Sequence, residues 1–324
     1  MKKFRTILVG FGKVAQGIYN DRKMSKFYKF QCHAQVLKSH PCFDWVGVVD
    51  PDEKKLEIAK KIWKIKNCFK SVYDIPKDFN VDILVIATKP IQRLEIIKLF
   101  PSLKGAIIEK PICLDGSERN KLVNFCKKMN LKINVNFNRR FDNTFLTFKK
   151  NIKNYVGNLQ FGTIIYGNGL RTNGIHFIDQ LRMLLGEIKS IKLLSKIKKN
   201  NLIDDFDAKI LIKFNRDIQV YMCPINFQFY REQLIDLWGE KGRLEIIQEG
   251  LLYRFSKIKK HRALENINEI ATDTSNVVES KIGLSYYNLY DDLVNSLNKN
   301  VKTNSPIENA KINEDLIDGV YNSQ

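Results

Sequence analysis

An α/β fold is predicted for this chain: a doubly wound parallel sheet first, then an α+β domain with a large open mixed or antiparallel sheet. Three observations predict it. In the first third, short β-branched runs alternate with helical patterns, the rhythm of parallel strands with helices between them. The apolar run Ile7-Leu8-Val9 leads directly into Gly10-Phe11-Gly12-Lys13-Val14-Ala15. After about Asn136 the rhythm changes to long β runs joined by tight turns, as expected of a sheet with helices on one face.

The candidate strands of the first sheet are Thr6–Val9, Trp45–Asp50, Cys68–Lys70, Asp82–Ala87, Gly105–Glu109 and Lys132–Asn136. Helical patterns fall between them. Asp52–Trp63 places Leu56, Ala59, Ile62 and Trp63 on one side; Ile91–Phe100 and Ser117–Asn130 behave similarly, with Ser117 a candidate cap. Further on, Phe141–Ile152 and Gly174–Leu185 read as helices. Ile188–Ile197, Ala208–Phe214, Ile218–Phe229, Gln233–Trp238, Arg243–Gln248 and Leu251–Phe255 read as strands. Lys257–Lys281 is polar and weakly patterned and reads as loop. Helices near Tyr286–Leu297 and Glu308–Tyr321 finish the chain.

At 324 residues the chain accommodates two domains, and 44% hydrophobic content supports real cores. The net charge of +19 raises a nucleic-acid reading. The lysines are scattered, however, so a solvated basic surface explains them better, with mild steering of anionic substrates. No nucleic-acid partner is expected. The six cysteines form no C-x-x-C pair or other metal-ligand spacing, so buried or incidental thiols and no metal site are expected. Met1-Lys2-Lys3-Phe4-Arg5 before an apolar stretch resembles a signal peptide, but Lys13 and two glycines interrupt that stretch. No apolar run approaches membrane-spanning length. A cytoplasmic protein without a membrane partner is the expectation.

Gly10-Phe11-Gly12-Lys13-Val14-Ala15 is G-x-G-x-x-A after an apolar strand. Gly10 permits the tight turn, Gly12 lets backbone approach a pyrophosphate, and Ala15 lets the next helix pack on the sheet with its N-terminus toward the anion. A second strand ends in Val48-Val49-Asp50, where Asp50 would bond ribose hydroxyls and repel a 2′-phosphate. That favours NAD over NADP, with Lys54 and Lys55 nearby acting against the preference. The bland alternative is a plain glycine turn with a helix-capping Asp50. The spacing to Asp50 is longer than usual, so Tyr19–Gln35 reads as an inserted loop: a lid, a subunit contact or an inert excursion.

Glu109-Lys110-Pro111 closes the run Gly105-Ala106-Ile107-Ile108. Lys110 is expected at the C-terminal edge of a parallel sheet, where ligands bind. There its ammonium would stabilise developing oxyanion charge; a solvated surface lysine is the equal alternative on position alone. The histidines are His33, His40, His176 and His261. His176 falls in the first turn of a helix starting near Gly174, where Asn173 or Thr172 would cap it and the dipole would keep the imidazole neutral. Asp179, three residues on, shares its face and would orient the ring. Taken alone, a satisfied core histidine beside a helix-surface aspartate is the commoner outcome.

These motifs together resemble the Gfo/Idh/MocA oxidoreductase family, that of glucose-fructose oxidoreductase and inositol dehydrogenase. The resemblance covers nearly the whole chain: GFGKVA at Gly10–Ala15, VVDPD at Val48–Asp52, EKP at Glu109–Pro111, NFNRRFD at Asn136–Asp142 and NGIHFIDQLRMLLGE at Asn173–Glu187. It implies an NAD(P)-binding Rossmann domain at residues 1–120. It also implies a substrate-binding and oligomerisation domain at 121–324 whose sheet forms the interface of a homodimer or homotetramer. Cofactor contacts are implied at Gly10, Phe11, Gly12, Lys13, Val14, Asp50, Thr88, Glu109 and Lys110. Lys110 would hold the reacting oxygen and His176 would act as base, with Asp179 as its partner. Substrate contacts would come from Lys110, Asn138, Arg140, Arg171, Thr172, Asn173 and His176. Arg139, Arg140 and Arg171 would meet a phosphate or carboxylate, or equally form ion pairs at the domain boundary.

Three positions depart from the family pattern. Thr172 stands where many members carry Asp, Arg93 stands where a histidine is usual, and Asn143 replaces a proline. The narrower likeness is to surface-polysaccharide and nucleotide-sugar members. The expected function is therefore oxidation or reduction of a hydroxyl or keto group on a sugar or nucleotide-sugar derivative. Reduction of a non-sugar imine or enone, and non-catalytic NAD sensing, are the alternatives that Thr172 and Arg93 motivate.

Overall fold

The computed structural model describes residues 3–197 and 205–323; the opening Met1-Lys2 of the signal-like start lies outside them. The chain forms two compact units, Met1–Phe141 with Gly283–Ile312, and Asp142–Ile282 with Asn313–Gln324.

The first unit is built on a parallel sheet. Its strands are β1 (Phe4–Val9), β2 (Phe43–Val49), β3 (Asn67–Phe69), β4 (Ile83–Ile86), β5 (Gly105–Ile108) and β6 (Lys132–Val135), in the order β3-β2-β1-β4-β5-β6. All five pairings are parallel. The central strands β4 and β5 are buried along their whole length, which is why they read as unbroken apolar runs rather than alternating ones. Helices α1 (His33–Ser39), α2 (Glu53–Lys61), α3 (Arg93–Lys98) and α4 (Gly116–Lys128) lie between strands. Asp52 caps α2 by accepting from the Lys54 N–H at 2.9 Å. The cap of α4 is Asp115, which accepts from the Glu118 N–H at 2.8 Å, not Ser117. A carboxylate just before the helix reaches the open N–H groups that Ser117, already helical, cannot.

The second unit opens with α5 (Asn143–Val156), capped by Asp142 through the Thr144 N–H at 2.9 Å. Next come β7 (Leu159–Tyr166), α6 (Ile175–Leu185), β8 (Ile188–Ile197), β9 (Asp207–Phe214), β10 (Gln219–Pro224), β11 (Leu234–Gly239), β12 (Gly242–Ile247) and β13 (Leu252–Lys260). Two short strands come after them, β14 (Asn268–Ile270) and β15 (Asn276–Glu279). The sheet runs β14-β13-β12-β11-β7-β10-β9-β8, with β15 also on β13. It is mixed: β7 and β10 are parallel, the other pairings antiparallel.

The chain then returns to the first sheet as α7, Ser285–Lys299. Leu289 and Leu293 on it are fully buried, and Asn134 of β6 donates to the Leu289 carbonyl at 2.9 Å. The final helix, α8, is Ile307–Asn322.

Lys257–Lys281 is not loop throughout, because β13 continues to Lys260 and β14 and β15 pair with it. These edge strands are mostly exposed, so they carry little of the apolar alternation that marks a strand. The expected strand Ile218–Phe229 stops at Pro224. Proline offers no N–H to extend a ladder. All six cysteines are thiols. Among the described residues, no helix is long and apolar enough to cross a membrane.

Candidate functional site

In the first unit, Val9 pairs with Ile86 and Ile86 with Ile108. Three turns, opening at Gly10, Ala87 and Glu109, therefore leave the same edge of the sheet. Strand spacing sets the first and third about 10 Å apart.

The Gly10 turn has φ +89°, and a Cβ there would lie 2.8 Å from the Ala87 carbonyl carbon and oxygen. Only glycine fits both constraints. A Cβ built on Gly12 would meet nothing within 4 Å, so its backbone faces open space. The next segment is not the α-helix expected but one wide turn, Lys13–Gly17. Gln16 and Gly17 both donate to the Gly12 carbonyl, at 3.0 and 3.2 Å. The polar stretch beyond Gly17 has no apolar stripe to prolong a helix. Phe11 and Ala15 are buried, whereas Lys13 and Val14 are exposed.

Asp50 is buried at the end of β2. Its Oδ2 accepts from the Phe11 N–H at 2.7 Å, its Oδ1 from the Asp52 N–H at 3.0 Å, and Lys55 Nζ lies 3.3 Å away. The carboxylate thus ties the glycine turn to β2; the capping role falls to Asp52. Beside this turn, Thr88 Cγ2 would be 3.0 Å from a Cβ on Gly10, and the buried Thr88 hydroxyl has no hydrogen-bond partner. Bare backbone at Gly12, an orphaned hydroxyl at Thr88 and a carboxylate at Asp50 fit a dinucleotide cofactor.

Lys110 is half-buried and joined to Pro111 by a cis peptide. Its flanks are held by groups that sequence reasoning did not assign to this site. His33, 0% exposed, meets Glu109 Oε1 through Nε2 at 2.9 Å and the Tyr290 hydroxyl through Nδ1 at 2.8 Å. Asn136 Nδ2 donates to the same Glu109 oxygen at 2.5 Å. Burial alone would push the Glu109 carboxyl up. The bond from His33 and its charge, the bond from Asn136 and the charge of Lys110 outweigh it, holding Glu109 below the usual carboxylate range. The buried Arg93 donates to the Glu109 carbonyl, to the Pro111 carbonyl at 2.5 Å and to the Thr88 carbonyl at 3.0 Å. The end of Tyr19–Gln35 is therefore not a surface excursion: Gln31, Cys32 and His33 are buried.

Asn138 and Arg140 lie on a short helical turn, Asn138–Phe141, where the buried Arg140 donates to the Asn304 carbonyl at 2.9 Å.

In the second unit, His176 is the second residue of α6 and half-buried. A wide turn, Leu170–Gly174, runs straight into that helix, and no side chain caps Gly174. Neither Thr172 nor Asn173 is the cap. Asn173 Nδ2 donates to the Gly167 carbonyl at 2.8 Å. Asp205 supplies the acceptor instead. Its Oδ1 takes the Arg171 N–H at 3.0 Å, and its Oδ2 takes the Thr172 N–H and hydroxyl at 2.9 and 2.7 Å. The positive pole therefore lies a turn before His176 and is already met by a carboxylate. Asp179 is not a surface residue: it is 1% exposed and accepts from Asn313 Nδ2 at 2.7 Å. Arg171 pairs with Asp318 at 2.8 Å and lies 4.0 Å from the centre of the Tyr321 ring.

Residues 4–137 match the family described as oxidoreductase family, NAD-binding Rossmann fold. A myo-inositol 2-dehydrogenase from Thermotoga maritima is 25% identical over 236 residues, 65% of this chain and 70% of that protein. The fold resembles a WlbA dehydrogenase from Chromobacterium violaceum solved with NADH and UDP-GlcNAcA (TM-score 0.77, 16% identity, 99% of this chain and 93% of that one). It also resembles an oxidoreductase from Agrobacterium radiobacter solved with NAD+, L-tartaric acid and magnesium (TM-score 0.75, 16% identity, 99% and 96%). The family match thus covers residues 4–137, the Rossmann sheet of the first unit, and the solved structures share the fold of nearly the whole chain.

The depressed Glu109 gives a pH prediction. A carboxylate lowered in the folded state contributes stability that is present above its unfolded value of about 4.3 and lost as pH falls through its folded value. Urea midpoints of the native protein should decline on acidification below about pH 4. Glu109→Gln should be less stable at neutral pH and approach the native protein as pH falls. A gap that stays constant across the series would remove Glu109 from the linkage.

Proposed function

We propose that the protein is an NAD-dependent dehydrogenase or reductase acting on a hydroxyl or keto group of a sugar or nucleotide-sugar derivative. The observation that carries this reading is the shared sheet edge. There the bare Gly12 backbone, the orphaned Thr88 hydroxyl and the Lys110 turn succeed one another on β1, β4 and β5. The relatives' own chemistry supports the substrate class: a myo-inositol 2-dehydrogenase in sequence, and a structure solved with a nucleotide sugar in fold.

A bound nicotinamide would supply the hydride acceptor, or the donor in the reverse direction. Lys110 donates a hydrogen bond to the substrate oxygen and stabilises its negative charge as the hydroxyl proton leaves. His176 takes that proton at a ring nitrogen. Thr172 gives the chain no carboxylate of its own four residues before His176, so the base role rests on the imidazole itself. With the Rossmann sheet holding the cofactor, substrate recognition falls to the remaining polar side chains, Asn138, Asn173 and Arg140 among them.

Copies of the chain associate through the sheet of the second unit. One face of that sheet is core, with Ile164, Val220, Met222, Ile235 and Leu237 buried. The other presents Phe161 and Tyr221 to solvent, with Phe161 stacked on Trp238 at 6.0 Å. Apolar groups on an outward sheet face mark an interface. Light scattering after size exclusion should give a dimer or tetramer, and Phe161→Glu with Tyr221→Glu should give monomer. A native monomer at micromolar concentration would overturn this.

The catalytic reading is tested by NADH absorbance on a panel of myo-inositol, UDP-sugars and UDP-sugar acids. Lys110→Met should lower turnover about a hundredfold or more while NADH still binds. Near-normal turnover would remove Lys110 from the chemistry, and binding without turnover of any panel member would favour a sensor. Because Asp50 also holds the Phe11 N–H, Asp50→Ala should weaken NADH and NADPH together yet shift their ratio toward NADPH. Fluorescence titration gives both constants; an unchanged ratio would deny Asp50 its ribose role.

A further inference from the structure

We propose that Arg93 is a positioning residue whose buried guanidinium locks the peptides on both sides of Lys110 and so fixes where that amine points. The inference deepens the reading of Lys110 above and rests on it for its catalytic meaning, not for its geometry.

One nitrogen, Nη1, donates to the carbonyl of Glu109 and to that of Pro111, the residues immediately before and after Lys110. The other, Nη2, donates to the Thr88 carbonyl in the neighbouring turn at 3.0 Å. A single planar fork therefore joins the turns after β4 and β5 at the edge where the cofactor-binding turn also lies. Nothing in strand pairing would do this, since β5 ends at Ile108. The placement opposes ordinary preference. Arg93 is the first residue of α3, where a cation meets the positive end of the helix, and it is buried, where a cation loses hydration. Three carbonyl acceptors offset both costs. Gln92 just before it is in the left-handed region, φ +56°, where the chain turns into α3.

A lysine is a point donor and cannot span carbonyls in two turns as a guanidinium does. The second hold on residue 109 is independent: its carboxylate is bound by His33 and Asn136. Removing Arg93 should therefore loosen the turn without detaching it from the sheet. The Lys110 amine would then sample several positions instead of one. The chain's departure at this position, an arginine where the family resemblance leads one to expect histidine, becomes a device for the neighbouring lysine.

The test compares the native full chain with Arg93→Met and Arg93→Lys. The accessibility and titration of Lys110 are read by competitive acetylation with acetic anhydride across pH, then by peptide mass spectrometry, with the other lysines as internal standards. Lys110 labelling should change by about threefold or more in both variants, the equivalent of roughly half a pKa unit, while surface lysines stay level. Amide exchange over residues 109–113 should quicken by about tenfold. NADH affinity, read by fluorescence, should stay within about threefold of native. A folded Arg93→Met with native labelling and native exchange at this turn overturns the proposal. Should Arg93→Met not fold, Arg93→Lys decides alone: native behaviour there shows that charge, not the fork, suffices, and the positioning claim fails. A Lys110→Met protein that turns over normally removes the catalytic reading but leaves these labelling results standing, so the two failures are distinguishable.

Discussion

Val9, Ile86 and Ile108 stand side by side at the ends of three parallel strands, and the chemistry proposed for the first unit depends on that register. Each strand is buried on both faces, so a slip of one residue would have no solvent-facing side to accommodate it. The register brings a bare glycine backbone, an unpaired hydroxyl and a lysine to one edge without any of them being neighbours in sequence. It also obliges the turns to pack against each other. Gly10 has no room for a side chain because the Ala87 peptide already fills that space.

A turn at a sheet edge has backbone groups that the ladder no longer satisfies, and the protein ties them with buried charged side chains. In the first unit Asp50 takes the Phe11 N–H, and Arg93 serves carbonyls at residues 88, 109 and 111. In the second unit a half-buried carboxylate does the same: Asp205 collects the N–H groups of Arg171 and Thr172, and also accepts from the Tyr321 hydroxyl at 2.6 Å. Such groups are costly to bury alone and rigid when fully paired. The residues given chemical roles here, Lys110 and His176, are each placed on backbone held in this manner. Asp179 is similarly spoken for, since Asn313 that donates to it also accepts from Arg182 at 2.7 Å.

The range of the interactions decides how much of this was legible in the sequence. The Rossmann strands were, because a two-sided buried strand is apolar at every position and a G-x-G turn has its own local grammar. Lys110 and His176 are legible because motifs surround them. Of their holders, Asn136 lies in such a motif, whereas His33, Arg93 and Asp205 do not. His33 lies 76 residues from Glu109 and 257 from Tyr290, and Asn313 lies 134 from Asp179. No local pattern marks such a partner. Arg93 was visible only as an oddity. Asp205 sits in an unremarkable polar stretch 33 and 34 residues from the N–H groups it accepts, beyond the reach of a local capping pattern. Edge strands β14 and β15 escaped for a different reason: an exposed strand has no reason to alternate.

The stretch between the glycine turn and α1 shows how a long connection is accommodated so near the glycine turn. Lengthening a loop costs little, about 0.6 kcal/mol for each doubling, provided its ends remain fixed. Here they are. Gly12 closes the wide turn at one end through Gln16 and Gly17, and His33 anchors the other in the core. Between them the chain is not left loose: Asp21 Oδ1 accepts from the N–H groups of Lys23 and Met24, both at 2.9 Å, and Phe30 donates to the Gly283 carbonyl at 3.2 Å. Gly283 is itself bare because the Phe27 carbonyl occupies the space a Cβ would need. The stretch thus rests on the segment that returns from the second unit, and that same segment carries Tyr290 to His33. The middle of the stretch is mostly exposed while the histidine that meets Glu109 stays at the end of a fixed path, so the Lys110 turn is insulated from it.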